Sequence, residues 1–198
     1  ARNIGLANIY KADIVAFPDD DCWYPEDLIS NVVNYFEKYE STDVLCTGVW
    51  DPILNCSYGN RPSTKKKISY LNSFKLPISV GIFIKFNLKN KAHVIFNEKL
   101  GAGTEIGSGE ETDLIIRLLK LNQKIKYNGI LKVFHQTEGG IIDFNKTKKY
   151  AYGFGFLHKY YIIKVSPVFI ISIFEVIFRS IAGIFLSKTV PLRKYYYL

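Results

Sequence analysis

The chain has 198 residues, of which 48% are hydrophobic and 15% aromatic, so it can bury a core of ordinary size and is not a disordered chain. Its net charge of +8 is uneven: residues 1–119 carry 13 basic against 15 acidic residues, whereas residues 120–198 carry 13 against 3. Three cysteines without C-x-x-C spacing argue against a zinc site or a disulfide framework and predict reduced thiols; they are Cys22, Cys46 and Cys56.

The N-terminal part reads as helix, strand and helix. Residues 4–11 predict the end of a helix, and residues 13–17 predict a short buried strand because they are apolar without alternation. A second helix is predicted to open at Pro25, with acidic residues in its first turn. Its apolar face is expected to consist of Leu28, Ile29, Val32, Val33 and Phe36.

Strands and helices continue to alternate up to residue 135. Residues 43–50 and 78–86 are apolar strand candidates, separated by a polar stretch that predicts a surface loop. A glycine-rich turn at residues 101–109 leads into a helix, and residues 124–135 predict a strand that ends in a histidine. The apolar face of that helix is expected to contain Leu114, Ile115, Leu118 and Leu119.

Three consecutive aspartates, Asp19, Asp20 and Asp21, follow the first strand directly. Adjacent carboxylates repel one another in a partly desolvated pocket unless they are protonated or a cation joins them. Ligands of open α/β sheets bind beyond the carboxyl ends of the strands, and Asp19 and Asp21 share a face in an extended segment. They could therefore converge on Mg²⁺ or Mn²⁺ bridging a diphosphate, leaving Asp20 for sugar hydroxyls. The alternative is a solvated turn in which one aspartate caps the next helix.

A second acidic group follows the glycine-rich turn. Ser108 and Glu111 have the spacing of a capping box, which explains this segment by local structure alone. Glu110, Glu111 and Asp113 nonetheless arrive on a loop that allows close substrate approach, where a general base would be useful. His135, at the end of the next strand, is either a structural residue or a ligand of a metal or diphosphate.

The order of these motifs resembles family 2 glycosyltransferases of the GT-A fold, in particular the branch that builds bacterial polysaccharides. The resemblance runs from residue 1 to about residue 160. It implies an α/β, Rossmann-like partial GT-A fold with a mostly parallel sheet flanked by helices over residues 1–160, followed by a hydrophobic, basic helical tail over residues 161–198. The segment matching the start of this chain normally lies well inside the domain, so the isolated chain is expected to lack base-recognition elements and to be inactive alone.

On the donor side, the acidic turn matches the DxD motif of that family. This implies that Asp19 and Asp21 hold a divalent cation on the diphosphate of a nucleotide-sugar, with His135 as a further candidate ligand. The donor-binding residues implied by the resemblance are Arg2, Asn3, Asp19 and Asp20.

On the acceptor side, Glu110 and Glu111 stand where the family usually has Glu-Asp. The resemblance therefore implies Glu111 as the catalytic base, with Glu110 beside it and Asp113 as the alternate base. The implied reaction is an inverting transfer of sugar to a hydroxyl of a saccharide or lipid-linked saccharide, in the synthesis of a cell-surface polysaccharide or glycolipid.

Residues 165–187 have the length of a membrane span, but Glu175 and Arg179 interrupt it. These two fall on one helical stripe and are spaced to pair. We expect a peripheral or re-entrant helix at the cytoplasmic face of the inner membrane; the alternative is a helix packed on the protein's own core. The flanking cations are Lys146, Lys148, Lys149, Lys159, Lys188, Arg193 and Lys194.

Two other classes of function share some of these features. A nucleotidyltransferase-like enzyme that depends on a divalent metal would share the three aspartates but gives no reason for residues 107–114 or His135. A non-enzymatic basic module would use the C-terminal part to bind a membrane or nucleic acid. Because the basic residues there alternate with long aliphatic runs and no nucleic-acid-binding signature occurs, we expect a membrane surface and no nucleic acid among the partners.

Overall fold

The computed structural model describes residues 1–86, 91–136 and 144–186, which form helices and strands in alternation. The helices are α1 (Arg2–Ala7), α2 (Leu28–Lys38), α3 (Glu110–Lys120), α4 (Phe144–Lys164) and α5 (Phe169–Leu186). The strands are β1 (Ile14–Ala16), β2 (Cys22–Trp23), β3 (Val44–Asp51), β4 (Cys56–Ser57), β5 (Lys65–Lys67), β6 (Ile82–Lys85) and β7 (Ile125–His135). The alternation confirms the predicted α/β class.

The chain divides into two compact units. The first unit comprises residues 1–96 with residues 114–139, and the second comprises residues 97–113 with residues 140–198. The first unit contains the whole sheet, and the second contains the glycine-rich turn, α4 and α5. The predicted boundary at residue 160 stays a prediction.

The sheet has the strand order β1-β6-β3-β7-β2, with β4 paired to β3 and β5 paired to β7. Among the described strands only β3 and β7 pair in parallel, so the prediction of a mostly parallel sheet is wrong. β1 and β3 are both antiparallel to β6, so β1, β3 and β7 run in the same direction. These three are separated along the chain by α2 or α3, and the other strands lack such a crossover helix and run the opposite way.

Apolar side chains cover both faces of the sheet, because consecutive residues of a strand point to opposite faces. On β3, Val44 and Cys46 belong to one core cluster and Leu45 and Val49 to the other. The cluster containing Val44 includes Leu114, Ile115 and Leu118 of α3, as predicted. The second cluster includes Leu28, Val32 and Phe36 of α2. Burial on both sides explains why β3 reads as a continuous apolar run.

Helix α2 differs from its prediction in its start and in the width of its buried face. It begins at Leu28 rather than Pro25, and the amide of Leu28 donates to the Pro25 carbonyl, 3.0 Å away, in the preceding turn. Ile29 and Val33 are 49% and 38% exposed, so they lie at the margin of the apolar face. The segment predicted as a surface loop also contains β4 and β5, because short strands at the sheet's margin have no apolar alternation to reveal them.

In the second unit, α4 and α5 pack against each other. The turn between them contains Pro167, which cannot continue a helix. The contact includes His158, whose Nε2 lies 2.6 Å from the Ser172 hydroxyl, and the fully buried Phe169.

Most of α5 does not take part in that contact. By length and composition alone, α5 is the one helix of the described segments that could cross a membrane, and 11% of its residues are buried. Glu175 and Arg179 lie 3.9 Å apart one turn along it, so the predicted pair is confirmed.

Candidate active site

The turn with three aspartates meets the end of β7 through a short strand pairing. The chain leaves β1, turns, and returns as β2, where Cys22 pairs with His135 in antiparallel register. As a result the Asp21 carboxylate lies 3.3 Å from Nε2 of His135. Asp21 is 64% exposed and the His135 side chain 18% exposed, so a solvent-facing carboxylate is joined to a largely enclosed imidazole.

The other carboxylate of the predicted cation pair has a different partner. Asp19 accepts hydrogen bonds from the Arg2 guanidinium at 2.9 and 3.3 Å, and the guanidinium also lies over the Phe96 ring at 5.2 Å from its centroid. Asp20 is exposed. Arg2 lines a cleft of about 940 Å³ between α1 and β1, together with Phe17 and Pro18. The cleft therefore opens beside the acidic turn.

Asn3, predicted to bind the donor, forms a structural contact in the first unit. Its side-chain amide donates to the Phe96 carbonyl at 2.9 Å and its side-chain oxygen accepts from the Phe96 amide at 2.8 Å. This two-way hydrogen bond fixes the segment that carries Phe96 against α1. Because Phe96 in turn lies beneath Arg2, Asn3 helps to hold the guanidinium in place.

His135 has one ring nitrogen with a partner and one without. Nε2 faces Asp21, while Nδ1 is buried and has no hydrogen-bond partner among the residues described. The ring lies edge-on to Tyr58, with centroids 5.0 Å apart. No three His, Cys, Asp or Glu side chains within the described ranges are grouped closely enough to hold a metal ion. Asp21 and His135 nevertheless offer neighbouring oxygen and nitrogen ligands, a combination that suits Mn²⁺ and, through the carboxylate, Mg²⁺.

Cys22 closes the acidic turn. Its thiol donates to the Asp19 carbonyl at 3.2 Å, and it accepts from the Asp19 amide at 3.3 Å. Burial raises the pKa of this thiol, and the charges of Asp19, Asp21 and Asp20 raise it further. The thiol therefore stays protonated near neutral pH and remains able to donate this hydrogen bond.

In the second unit, the three candidate base residues lie on the first turn of α3. The helix begins at Glu110, one residue later than an N-cap at Ser108 requires, and Ser108 donates instead to the Tyr150 carbonyl at 3.5 Å. Gly109 precedes the helix with a φ of +95°, a conformation that favours glycine. A Cβ at Gly101 would lie 2.9 Å from the carboxylate carbon of Glu110 and 3.0 Å from its nearer oxygen, so that side chain passes close to the glycine-rich turn.

The three carboxylates differ in their surroundings. Asp113 is 5% exposed, and its carboxylate accepts a hydrogen bond from the Tyr161 hydroxyl at 2.5 Å. Glu110 and Glu111 are half-buried. Of the predicted base Glu111 and its alternate Asp113, Glu111 is therefore the one that water or a substrate reaches more readily.

The sequence of residues 1–93 matches the family model described as glycosyl transferase family 2. The N-terminal part of the chain, 93 of its 198 residues, is thus similar to family 2 glycosyltransferases. The match includes Arg2 and the turn from Asp19 to Asp21, whereas His135 and the first turn of α3 lie beyond it. No curated protein matches the sequence.

A solved structure supports the fold of this chain. The crystal structure of S. aureus TarS 1–349 is similar with a TM-score of 0.52 at 13% sequence identity. The similarity covers 98% of this chain and 56% of the TarS chain, so this chain spans about half the length of that structure. The predicted partial GT-A fold is confirmed.

Sequence reasoning missed two partners in these clusters. Arg2 and Asp19 are 17 residues apart, so no helical or strand period connects them. Tyr161 belongs to α4, which was not predicted because glycines interrupt it and its apolar residues surround it on all sides. The spacing of Leu157 and Tyr161, one turn apart and both buried, is the signal that could have indicated this helix.

Proposed function

We propose that this protein transfers a sugar from a nucleotide-sugar donor to an acceptor hydroxyl with inversion, in the synthesis of a cell-surface polysaccharide or glycolipid. The observation that carries the proposal is the family match over residues 1–93. This segment contains the strand-end carboxylates that would hold a cation on the donor diphosphate. The contact between Asp21 and His135 adds support, since it joins two ligand types at the end of a strand.

On the donor side, Asp21 and His135 would hold a Mg²⁺ or Mn²⁺ ion, with Asp19 as a further carboxylate. When bound, the cation supplies positive charge against the negative charge that grows on the departing diphosphate. Arg2 would bind a phosphate oxygen from the neighbouring cleft. Its pair with Asp19 is partly exposed, and because such pairs contribute about 0–1 kcal/mol, exchanging the carboxylate for a phosphate is inexpensive.

On the acceptor side, Glu111 would accept the proton of the attacking hydroxyl. The acceptor oxygen then bonds to the anomeric carbon while the bond from that carbon to the diphosphate oxygen breaks, and the leaving group departs on the opposite face. A single displacement of this kind inverts the anomeric centre and needs no covalent enzyme intermediate. Glu110, which lies beside Gly101, would orient the acceptor at the glycine-rich turn.

The proposed acceptor is a saccharide or lipid-linked saccharide at the cytoplasmic face of the inner membrane, which α5 would contact. Its 18 residues span about 27 Å, slightly less than the roughly 30 Å of a bilayer core. Its exposed Glu175–Arg179 pair suits the headgroup region. A helix that lies at the membrane surface accommodates both its short length and this ion pair. The exposed lysines of α4 would add attraction to anionic lipids; they are Lys146, Lys148, Lys149, Lys159 and Lys164.

The test is a transfer assay on the complete gene product with a panel of UDP-, GDP- and dTDP-sugars and total membrane lipid from a bacterial host as acceptor. We expect one donor to be consumed, transfer to stop in EDTA and return with Mn²⁺ or Mg²⁺, and the NMR spectrum to show an inverted anomeric configuration in the product. Retention of configuration would refute the single displacement. Release of pyrophosphate with nucleotide incorporation would indicate the nucleotidyltransferase alternative.

A further inference from the structure

The Tyr161 side chain reaches from α4 to the first turn of α3, within the second unit. Its hydroxyl donates to the Asp113 carboxylate at 2.5 Å and also lies 3.4 Å from the Asp113 main-chain carbonyl. A single hydroxyl thus contacts both the side chain and the backbone of one residue. It restrains the position of that residue as well as the rotamer of its carboxylate.

Tyr161 is itself held in place. It is 2% exposed, and its ring packs against the fully buried Phe169 at the start of α5, with centroids 5.9 Å apart. A buried ring of this size has few alternative rotamers, so the direction of its hydroxyl is set by packing. The hydroxyl therefore acts as a fixed point for Asp113.

The glycine-rich turn also lies directly on α4. A Cβ at Gly153 of α4 would collide with the Ser108 hydroxyl and lie 3.1 Å from the Ile106 carbonyl oxygen, and a Cβ at Gly109 would collide with Leu157. The backbone of the turn approaches α4 this closely at Gly153 because that position is glycine, and the absence of a side chain at Gly109 leaves room for Leu157. Residues 106–109, directly before α3, are consequently supported by α4.

We propose that Tyr161 is a positioning residue that holds the first turn of α3 so that Glu111 presents its carboxylate to the acceptor. The inference rests on the proposed function, because it assigns Glu111 as the base. Residues two apart on a helix face different directions, so Tyr161 acts on Glu111 through the backbone of the turn. Asp113 is then the acceptor of the positioning hydrogen bond and not the base.

The test compares Tyr161→Phe with Tyr160→Phe, a matched control that removes the same hydroxyl from the half-exposed neighbouring residue. Amide hydrogen exchange of peptides covering residues 107–114 is measured on the 198-residue chain. The kcat and the KM for the donor are measured on the complete gene product. Asp113→Asn is included because asparagine keeps an acceptor oxygen for Tyr161 but cannot take a proton.

We expect Tyr161→Phe to raise the exchange rate of residues 107–114 and to lower kcat about tenfold with KM changed less than twofold, while Tyr160→Phe changes neither. Asp113→Asn should lose less turnover than Tyr161→Phe. The inference is overturned if Tyr161→Phe leaves exchange and kcat at wild-type values, or if Asp113→Asn loses as much turnover as Glu111→Gln. If the wild-type protein transfers no sugar from any donor, the proposed function is refuted instead. The two failures are distinguishable, because the inference is tested by variants and the proposed function by the wild type.

Discussion

The two acidic clusters of this protein have opposite surroundings. In the turn after β1, the carboxylates of Asp19 and Asp21 are 41% and 64% exposed, and they face a guanidinium and an imidazole. In the first turn of α3, Asp113 is buried and is held by a neutral hydroxyl. An exposed carboxylate exchanges its partner at little cost, whereas a buried one loses a charge-assisted hydrogen bond if its partner leaves. The first cluster is therefore suited to binding ions and the second to keeping a fixed geometry.

The largest expected effect is on Glu111, the residue of the second cluster that we propose as the base. Glu111→Gln keeps the size and polarity of the side chain but cannot take a proton. We expect the turnover of the complete gene product to fall by about two orders of magnitude, the usual scale for loss of a general base, with an unchanged melting temperature. Glu105→Gln, in the same glycine-rich segment and exposed, is the matched control. Full turnover in Glu111→Gln would mean that the base is another residue.

The next largest effect concerns the exposed apolar surface of α5. Phe174 and Phe178 are 66% and 73% exposed, one turn apart, so Phe174→Glu with Phe178→Glu removes apolar area without disturbing the buried Phe169. Because each phenylalanine contributes about 1.5–3 kcal/mol on burial, we expect binding to anionic liposomes to fall at least tenfold in a flotation assay.

Two controls make the flotation assay specific. Ile53→Glu, in a turn of the first unit and 65% exposed before substitution, should float like the wild type. Wild-type binding should weaken but persist at high salt, because the apolar contribution is not screened. Equal flotation of the α5 variant and the wild type would show that α5 does not contact the lipid.

The sequence predicted the elements whose apolar residues form an uninterrupted run or a sustained periodic pattern. β1, β3, β7 and the buried face of α3 follow directly from such patterns. The start of α2 was misplaced because a proline and acidic residues also suit the turn that precedes it. Strand direction was misjudged because β6 inserts between β1 and β3, a pairing that depends on distant parts of the chain and leaves no local signal.

The sequence predicted individual residues of the candidate site but not which of them contact each other. The strand-end positions of Asp21 and His135 were predicted, yet their contact depends on β2, a two-residue strand that is too short to show a period. The hydrogen bond from Tyr161 to Asp113 joins residues 48 positions apart on a helix that the pattern did not reveal. In both cases the partner of the carboxylate is determined by tertiary packing and cannot be read from the local sequence.

The smallest expected effect is the pH dependence of the contact between α4 and α5. His158 is fully buried, its Nδ1 donates to the Phe154 carbonyl at 2.8 Å, and burial lowers its pKa. The unfolded chain binds a proton at this residue more readily than the folded chain does. The contribution of His158 to stability is therefore complete above its ordinary pKa of about 6.5 and is lost as the pH falls through the folded pKa.

Urea unfolding at pH 7.5 and pH 5.5 measures this dependence. The wild type should lose more of its free energy of unfolding between these two pH values than His158→Gln loses, since glutamine does not titrate. His93 and His135 are present in both proteins, so their contributions cancel in the difference. An equal loss in the two proteins would contradict the assignment of a neutral, buried imidazole.

Titration with Mn²⁺ followed by electron paramagnetic resonance tests the contrast between the two acidic clusters most directly. The signal of free Mn²⁺ measures binding, because bound Mn²⁺ no longer contributes to it. It is carried out on the 198-residue chain as wild type, Asp21→Asn and Asp113→Asn. The account predicts that Asp21→Asn weakens Mn²⁺ binding at least tenfold, by removing the carboxylate beside His135, and that Asp113→Asn binds like the wild type. Equal binding by all three proteins, or a loss confined to Asp113→Asn, would contradict it.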